Sequence, residues 1–163
     1  MQSQNLPSQI LGQVGAVFVG ARPGGAVQRI PSIEAVAGSG LIGDRYFTSE
    51  TDHDASEEIT LFSEEDVRRA RDESGLAIDP TDLRRNIMTR GVDLPGLVGA
   101  TIKVGEVVVD SLEDNPPCAH LQRLADKPIL APLVGRGGLR GRIVTGGTIR
   151  EGDPIGRMPD ARD

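Results

Sequence analysis

The chain has 163 residues, of which 37% are apolar and 26% are charged, a balance that excludes both a membrane-embedded protein and a highly charged disordered chain. Its 24 acidic and 18 basic residues give a net charge of −6, which argues against an extended nucleic-acid interface, because such an interface neutralises phosphates with Lys and Arg. We therefore expect one globular domain over residues 1–163, with its core at about residues 10–158 and neither a nucleic-acid nor a membrane partner.

The cellular compartment is predicted from cysteine usage and from the start of the chain. The single cysteine, Cys118, excludes an internal disulfide, and residues 1–9 lack the basic start and apolar core of a signal peptide. No apolar run approaches the ~18 residues that a transmembrane helix requires. We therefore expect a cytoplasmic protein.

Glycine and proline, 21 and 11 residues, interrupt the chain too often for a helical bundle and favour short strands and turns. The first strand is predicted at residues 10–20, which are rich in apolar and β-branched side chains without a helical stripe. A weaker strand is predicted at residues 27–30. Residues 31–43 are small and Gly-rich, so we expect a loop there.

Residues 50–58 are rich in acids and also contain His53, a pattern typical of a mobile, solvated loop. A calcium loop is excluded because Glu57 stands at the obligatory glycine position and Ser63 at the position of the bidentate glutamate. After this loop, residues 58–62 alternate and predict a strand. Ser63 then has the spacing to Asp66 of a helix N-cap, and the helix is expected to end at Gly75.

The second half of the chain contains two patterns typical of β-hairpins. Residues 101–104 and 107–110 flank Gly105-Glu106, and residues 142–145 and 148–151 flank Gly146-Gly147. A short helix is expected between them at residues 118–126, with Leu121 and Leu124 on one face. Together these elements predict a mainly β fold, an antiparallel and closed or nearly closed barrel with a few short helices.

The segment Pro116-Pro117-Cys118-Ala119-His120 is the strongest candidate for chemistry. The sequence has no Walker loop, no G-x-G-x-x-G and no G-x-S-x-G, and Cys118 with two histidines is too small a set for structural zinc. Two prolines hold the cysteine on a stiff segment, and a helix start at this point would favour the reactive thiolate. The alternative from composition is an ordinary buried cysteine.

Basic side chains follow this cysteine in an otherwise acidic chain. Between residues 123 and 142 the only acid is Asp126, and the bases are Arg123, Lys127, Arg136, Arg140 and Arg142. If their side chains converge, they form a pocket for a small anion such as a phosphate or carboxylate. The alternative is a set of scattered, solvated arginines. A second basic group, Arg84, Arg85 and Arg90 around Asn86, could serve the same pocket.

Four motifs in chain order resemble the MOSC domain family, which is named for the C-terminal part of molybdenum cofactor sulfurase. They are Gly43-Asp44-Arg45, then Arg84-Arg85-Asn86-Ile87 with Gly91-Val92-Asp93-Leu94, then Pro117-Cys118-Ala119-His120-Leu121, then Gly147-Thr148-Ile149-Arg150-Glu151-Gly152-Asp153. The resemblance runs from about residue 41 to residue 155. It implies a barrel-like β fold, in agreement with the hairpin patterns.

The resemblance also implies roles for particular residues. The cysteine of this family either carries sulfur as a persulfide or ligates the molybdenum of a bound molybdopterin, and Cys118 stands at that position. Arg84 and Asn86 match positions where anion or pterin contacts are expected. Asp44 and Asp153 match the G-D positions, where an aspartate can also serve its own turn. Some members have histidine where this chain has Tyr46, which weakens any acid-base role there.

The leading hypothesis is a stand-alone MOSC protein that binds molybdenum cofactor, carries sulfur on Cys118 for transfer, or does both. The catalytic residue and molybdenum ligand is then Cys118, and the expected cofactor-binding residues are Asp44, Arg84, Asn86, His120, Arg136 and Arg140. The enzyme class stays open between a sulfur transferase and a molybdenum-dependent oxidoreductase.

Three alternatives remain beside this hypothesis. One is a molybdenum-dependent reductase of N-hydroxylated compounds, which would need separate redox partner proteins because the chain has no set of iron-sulfur cysteines. Another is a non-enzymatic cofactor-binding module, and the third is a structural interaction barrel. The chain leaves no room for a pyridoxal-phosphate domain, so sulfur would come from a partner cysteine desulfurase.

Overall fold

A computed structural model describes residues 6–159, which form eleven strands and two α-helices. The strands are β1 (Gln9–Gly20), β2 (Val27–Ile30), β3 (Ser32–Val36), β4 (Gly40–Leu41), β5 (Ile59–Ser63), β6 (Ile87–Arg90), β7 (Thr101–Val104), β8 (Val107–Asp114), β9 (Leu139–Thr145), β10 (Gly147–Arg150) and β11 (Pro154–Arg157). The helices are α1 (Glu64–Ser74) and α2 (Ala119–Ala125). Within the described range, neither helix has the length and apolar character that crossing a bilayer requires.

Seven strands close a barrel in the order β1-β11-β7-β8-β9-β5-β6, and β6 returns to β1. The predicted mainly β barrel is therefore confirmed. The expectation of purely antiparallel pairing is wrong at one place, because β5 and β6 run parallel, with Leu61 opposite Ile87. Parallel neighbours need a crossover connection, and α1 lies in the connection between these two strands.

Two clusters of buried apolar side chains stabilise the fold. The larger cluster lies among the barrel strands, and its members include Val17, Ile87 and Ile143. The second cluster joins the barrel to the helices through Phe62 and Leu121, among others. The barrel wall is thus a rigid support for the loops and helices that pack on it.

Local signals place α1 and the β7–β8 hairpin as predicted. The Ser63 hydroxyl accepts a hydrogen bond from the Asp66 amide at 3.1 Å, and Gly75 ends the helix in the left-handed region with φ of 72°. In the hairpin, Gly105 has φ of 59°, which is the positive value that the tight turn requires.

Two predictions about strands are wrong. Residues 31–43 are not a loop, because they contain β3 and β4, which form a separate three-stranded sheet with β10. The expected hairpin at Gly146-Gly147 is absent from the described residues: β9 pairs with β5 and β8 in the barrel, whereas β10 pairs with β3. The buried side chains of Ile33 and Ile149, opposite each other in the second sheet, favour this pairing because both are removed from water.

The acidic segment 50–58 is only partly the solvated loop that its composition predicts. Residues Ala55–Glu57 form a short 3-10 turn, and the Glu58 side chain is buried. One Glu58 oxygen accepts a hydrogen bond from the Ile143 amide at 2.9 Å, and the other lies 2.7 Å from His53 Nε2. This hydrogen bond is the main reason that the pKa of His53 is raised above its ordinary value. The segment is therefore anchored to β9.

Candidate functional site

Two adjoining cavities form one cleft on the outside of the barrel. They share a wall of four side chains, Arg45, Tyr46, Arg84 and Arg85. The inner cavity is also lined by Asp44, Glu57, Thr60, Asn86, Asn115 and Arg140. The outer cavity is also lined by Pro23, Gly24, Cys118, His120, Leu121 and Leu124. The cleft therefore brings the single thiol of the chain next to several guanidinium groups.

Cys118 lies at the N-cap of α2, where its extended backbone (φ −137°, ψ 168°) leads the chain out of two prolines into the helix. Its side chain makes no capping hydrogen bond and is exposed, so the alternative of an ordinary buried cysteine is wrong. Helix α2 forms as predicted, with Leu121 buried, whereas Leu124 stays 38% exposed at the cleft. The thiol is thus accessible to a ligand or to another protein.

Arg84 has a guanidinium group whose hydrogen-bond donors are not all satisfied within the described structure. Its Nη1 donates to the Gly25 carbonyl at 2.6 Å, but its Nη2 is buried without a hydrogen-bond partner in the described structure. Burial lowers the pKa of Arg84, and the nearby positive charge of Arg45 lowers it further. The residue also has φ of 54°, the left-handed region that non-glycine residues seldom adopt. An anion in the cleft would pair both the orphaned nitrogen and the charge.

Arg45 and Tyr46 belong to the site although they were not predicted as cofactor-binding residues. Arg45 Nη2 donates to the Arg84 carbonyl at 3.4 Å, and its guanidinium carbon lies 4.7 Å from the centre of the Tyr46 ring. Its nearest carboxylate is Asp44, at 3.7 Å. The available signal is the motif Gly43-Asp44-Arg45, in which the family resemblance gives a role to the aspartate alone.

Asp44 and Asn86 reach the cleft as predicted, but their polar atoms are engaged with the fold. The Asn86 amide oxygen accepts hydrogen bonds from the Thr60 amide at 3.2 Å and the Thr60 hydroxyl at 2.9 Å. Its nitrogen donates to the Phe18 carbonyl at 3.3 Å and to Asp44 Oδ1 at 3.2 Å. The same Asp44 oxygen accepts from the Gly20 amide at 3.0 Å. We call Asp44, Thr60 and Asn86 the floor of the cleft, because they join β1 and β5 to the start of β6 beneath the arginines.

The remaining predicted site residues divide between the cleft and the surface. Arg140 lines the inner cavity, and its Nε lies 3.0 Å from a Glu113 oxygen, without the geometry of a hydrogen bond. His120 lines the outer cavity with Cys118. The structure does not bring Arg136 to the cleft, because its guanidinium pairs with Glu73 and donates to the Pro132 carbonyl at 3.2 Å.

Asp153, the other G-D aspartate, serves its own turn. It accepts a hydrogen bond from the Arg150 amide at 2.8 Å, between β10 and β11. It therefore belongs to the turn between two strands rather than to the walls of either cavity.

Comparison with solved structures agrees with the barrel. The chain is similar to the YuaD protein of Bacillus subtilis, with a TM-score of 0.77 and 18% identity over 92% of this chain and 97% of that one. It is also similar to YiiM of Escherichia coli, with a TM-score of 0.67 and 16% identity over 96% of this chain and 73% of that one. For YiiM of Geobacillus stearothermophilus the TM-score is 0.68, with 17% identity over 90% and 75% of the two chains. At these identities the likeness establishes the fold alone.

A family model supplies the assignment that structural likeness leaves open. No curated protein matches this chain. Residues 43–156, well over half of the sequence, match the model of the MOSC domain. The order of motifs around Asp44, Asn86 and Cys118 and the closed seven-strand barrel agree with that match. The chain belongs to the MOSC domain family.

Proposed function

We propose that this protein binds molybdenum cofactor in the cleft, with the arginines holding its anionic part and the Cys118 sulfur as the protein's donor to the metal. The observation that carries the proposal is the buried Nη2 of Arg84, which has no partner among the described residues. Arg84 lines the inner cavity together with three further arginines. A buried donor without a partner is costly, and a bound phosphate would remove that cost.

The charge of the cleft suits a phosphate-bearing ligand. Four guanidinium groups line the inner cavity, whereas Glu57 and Asp44 are its only carboxylates in the described residues, and Asp44 is already hydrogen-bonded within the floor. Guanidinium groups bind phosphate oxygens through paired N–H donors, which lysine cannot reproduce. The inner cavity is therefore assigned to the anionic end of the ligand.

The outer cavity suits the rest of such a ligand. Cys118 offers a soft sulfur donor of the kind that thiolate-binding metals select, and Leu121, Leu124 and Pro23 give the adjoining wall an apolar character. When bound, the cofactor supplies redox chemistry at molybdenum. The chain's own part is to hold the anion with Arg84 and Arg45, to present the Cys118 sulfur, and to keep water from one side of the ligand.

Sulfur carriage is a second candidate, favoured by the exposure of the Cys118 side chain and by its lack of a capping hydrogen bond. In that reaction the Cys118 thiolate attacks the outer sulfur of a persulfide on a donor protein. A bond forms between the two sulfur atoms, the donor's own sulfur–sulfur bond breaks, and the donor leaves as a thiolate. The transfer needs no net oxidant, and the donor would be a partner cysteine desulfurase.

The test is metal analysis and intact mass of protein purified from cells that make molybdenum cofactor. We expect near-stoichiometric molybdenum in the wild type and in Arg136→Ala, and a strong loss of molybdenum in Arg84→Ala and Cys118→Ser. A reducible mass increase of one sulfur on Cys118 without metal would favour the carrier. Equal molybdenum in all four proteins, or neither metal nor persulfide in any of them, would contradict the proposal.

A further inference from the structure

We propose that Arg85 is a positioning residue, which fixes the segment leading to Cys118 and thereby holds the thiol at the cleft. The inference deepens the proposed function and rests on it for the use that is made of the thiol. The claim about the segment itself depends only on contacts within the chain.

The Arg85 guanidinium connects three segments that are distant in sequence. Its Nη2 donates to the carbonyls of Asn115 at 3.1 Å and Pro116 at 3.4 Å. Its Nε donates to the Gly137 carbonyl at 3.3 Å, and its Nη1 donates to the Leu83 carbonyl at 3.1 Å. Two of these four acceptors belong to the residues that lead to Cys118.

The segment depends on a side-chain donor because its own backbone has few amide hydrogens that can tie it to the rest of the fold. Pro116 and Pro117 have no amide hydrogen, so they cannot donate to a strand or a turn. Asn115 donates its amide to the Gly138 carbonyl at 2.8 Å, and regular helix bonding begins only when the Gln122 amide donates to the Cys118 carbonyl at 3.1 Å. Between these two hydrogen bonds, the segment is tied to the barrel by the Arg85 side chain.

Close packing against Gly137 leaves the segment little room. A Cβ atom at Gly137 would lie 2.1 Å from the Asn115 carbonyl oxygen, so the backbones of residues 115 and 137 are almost in contact. Arg85 bridges the same two backbones through its Nη2 and Nε. A shorter or differently branched donor could not reach both carbonyls while also bonding Leu83.

The guanidinium stays charged in this position. Burial lowers the pKa of Arg85 to about 10, and interaction with Cys118 works in the opposite direction. A pKa of about 10 leaves Arg85 protonated at neutral pH, so all its donors remain available. Its neighbour Arg84 has a different role. One Arg84 nitrogen has no hydrogen-bond partner in the described structure, whereas the Arg85 nitrogens all donate to backbone carbonyls.

The test combines Arg85→Ala and Arg85→Lys with Arg84→Ala and Arg136→Ala, all as full-length protein. Hydrogen exchange of peptides covering residues 113–125 measures how firmly the segment is held. The alkylation rate of Cys118, relative to its rate in urea, measures the accessibility of the thiol, and molybdenum content measures the function. Arg85→Lys keeps the charge and the aliphatic stem, and so guards against a variant that fails to fold. Millimolar guanidinium, compared with sodium at equal ionic strength, tests whether the missing group can be replaced in Arg85→Ala.

We expect exchange in residues 113–125 to rise by about tenfold or more in both Arg85 variants, with little change in the barrel strands. The alkylation rate of Cys118 should change in the same two proteins, and guanidinium should restore Arg85→Ala but not Arg85→Lys. Arg84→Ala should lose molybdenum while keeping the wild-type exchange pattern, and Arg136→Ala should match the wild type in every measurement.

Wild-type exchange in both Arg85 variants, loosening spread evenly over the barrel, or no recovery with guanidinium would overturn the inference. A wild type without molybdenum would instead count against the proposed function, and the exchange and alkylation results would still decide the role of Arg85.

Discussion

Arginines inside and outside the cleft have different partners. Five arginines outside it pair with carboxylates; the pairs are Arg29–Glu151, Arg69–Asp66, Arg90–Glu64, Arg136–Glu73 and Arg142–Asp110. In the cleft, Arg84 and Arg85 donate to backbone carbonyls, and Arg84 retains a buried nitrogen without a partner. The other two cleft arginines, Arg45 and Arg140, do lie near carboxylates, at 3.7 Å from Asp44 and 3.0 Å from Glu113. Among the described residues, the positive charge that no carboxylate pairs in the cleft is therefore that of Arg84 and Arg85.

The comparison explains why a basic run in the sequence is a poor guide to a basic site. Of the bases in residues 123–142, Arg136 and Arg142 are neutralised by Glu73 and Asp110, and only Arg140 reaches the inner cavity. The charge of the cleft comes mainly from residues 45, 84 and 85, which two separate loops bring together.

The largest expected effect concerns the floor that supports the cleft arginines. Asn86→Leu keeps the approximate shape of the side chain but removes one donor to the buried Asp44 carboxylate and one to the Phe18 carbonyl, and it leaves the Thr60 amide and hydroxyl without their Asn86 acceptor. We expect the free energy of unfolding to fall by about 3–5 kcal/mol, measured by urea denaturation. The control is Arg29→Gln on the exposed surface, for which a loss of only about 0–1 kcal/mol is expected. Equal stabilities of the two variants would show that the floor is dispensable.

The next effect compares one arginine from each group. Arg84→Ala removes the guanidinium with the unpartnered nitrogen, whereas Arg136→Ala removes one already paired with Glu73. We expect the dissociation constant for inorganic pyrophosphate to rise about 10- to 100-fold in Arg84→Ala, since a hydrogen bond to a charged group contributes about 1.5–3 kcal/mol. Arg136→Ala should bind as the wild type does. Isothermal titration calorimetry measures both, and similar losses in the two variants would refute the distinction.

A smaller effect is expected at Tyr46, whose ring lies beside the Arg45 guanidinium. Tyr46→Leu removes this cation–π contact, which contributes about 0.5–1 kcal/mol, and should weaken pyrophosphate binding about two- to fivefold. Tyr46→Phe keeps the ring and is the matched control. If Phe weakens binding as much as Leu does, the hydroxyl and not the ring supports Arg45.

The smallest expected effect concerns His53 in the acidic loop. There a histidine, and not an arginine, pairs with a carboxylate, that of Glu58. Its hydrogen bond to Glu58 raises the pKa of His53 above the ordinary value of 6.5. A raised pKa in the folded state means that the stabilising contribution is complete below about pH 6.5 and is lost as the pH rises through the folded-state value. The advantage of the wild type over His53→Gln in thermal unfolding should therefore be largest below about pH 6.5 and should shrink as the pH rises above it. An advantage that grows with pH would contradict this pairing.

Local signals in the sequence predicted the elements that are fixed by their own residues. The Ser63 cap with Gly75 defines α1, and Gly105 defines the β7–β8 hairpin, because each signal acts within a few residues. The strands β3 and β10 were missed or misassigned because their pairing joins residues 32–36 to residues 147–150. The strand β4 has only two residues, which pair with the end of β3. The parallel pair β5–β6 likewise depends on a crossover that local patterns do not reveal.

The candidate site was likewise predicted only in part. Cys118 and Arg84 could be assigned from motifs, but the roles of Asn86 and Arg85 could not, because both act through partners far along the chain. Asn86 bonds the Phe18 carbonyl, and Arg85 bonds the carbonyls of residues 115, 116 and 137. Long-range hydrogen bonds of this kind leave no spacing in the sequence that distinguishes a supporting residue from one that binds a ligand.

The central claim is that the cleft holds a cofactor whose metal is coordinated by the Cys118 sulfur. X-ray absorption at the molybdenum edge, on protein purified from cells that make the cofactor, tests it most directly. We predict one more sulfur neighbour of molybdenum in the wild type than in any metal retained by Cys118→Ser, and an unchanged spectrum in Arg136→Ala. An identical sulfur count in the wild type and Cys118→Ser, or a wild type without molybdenum, would contradict the claim.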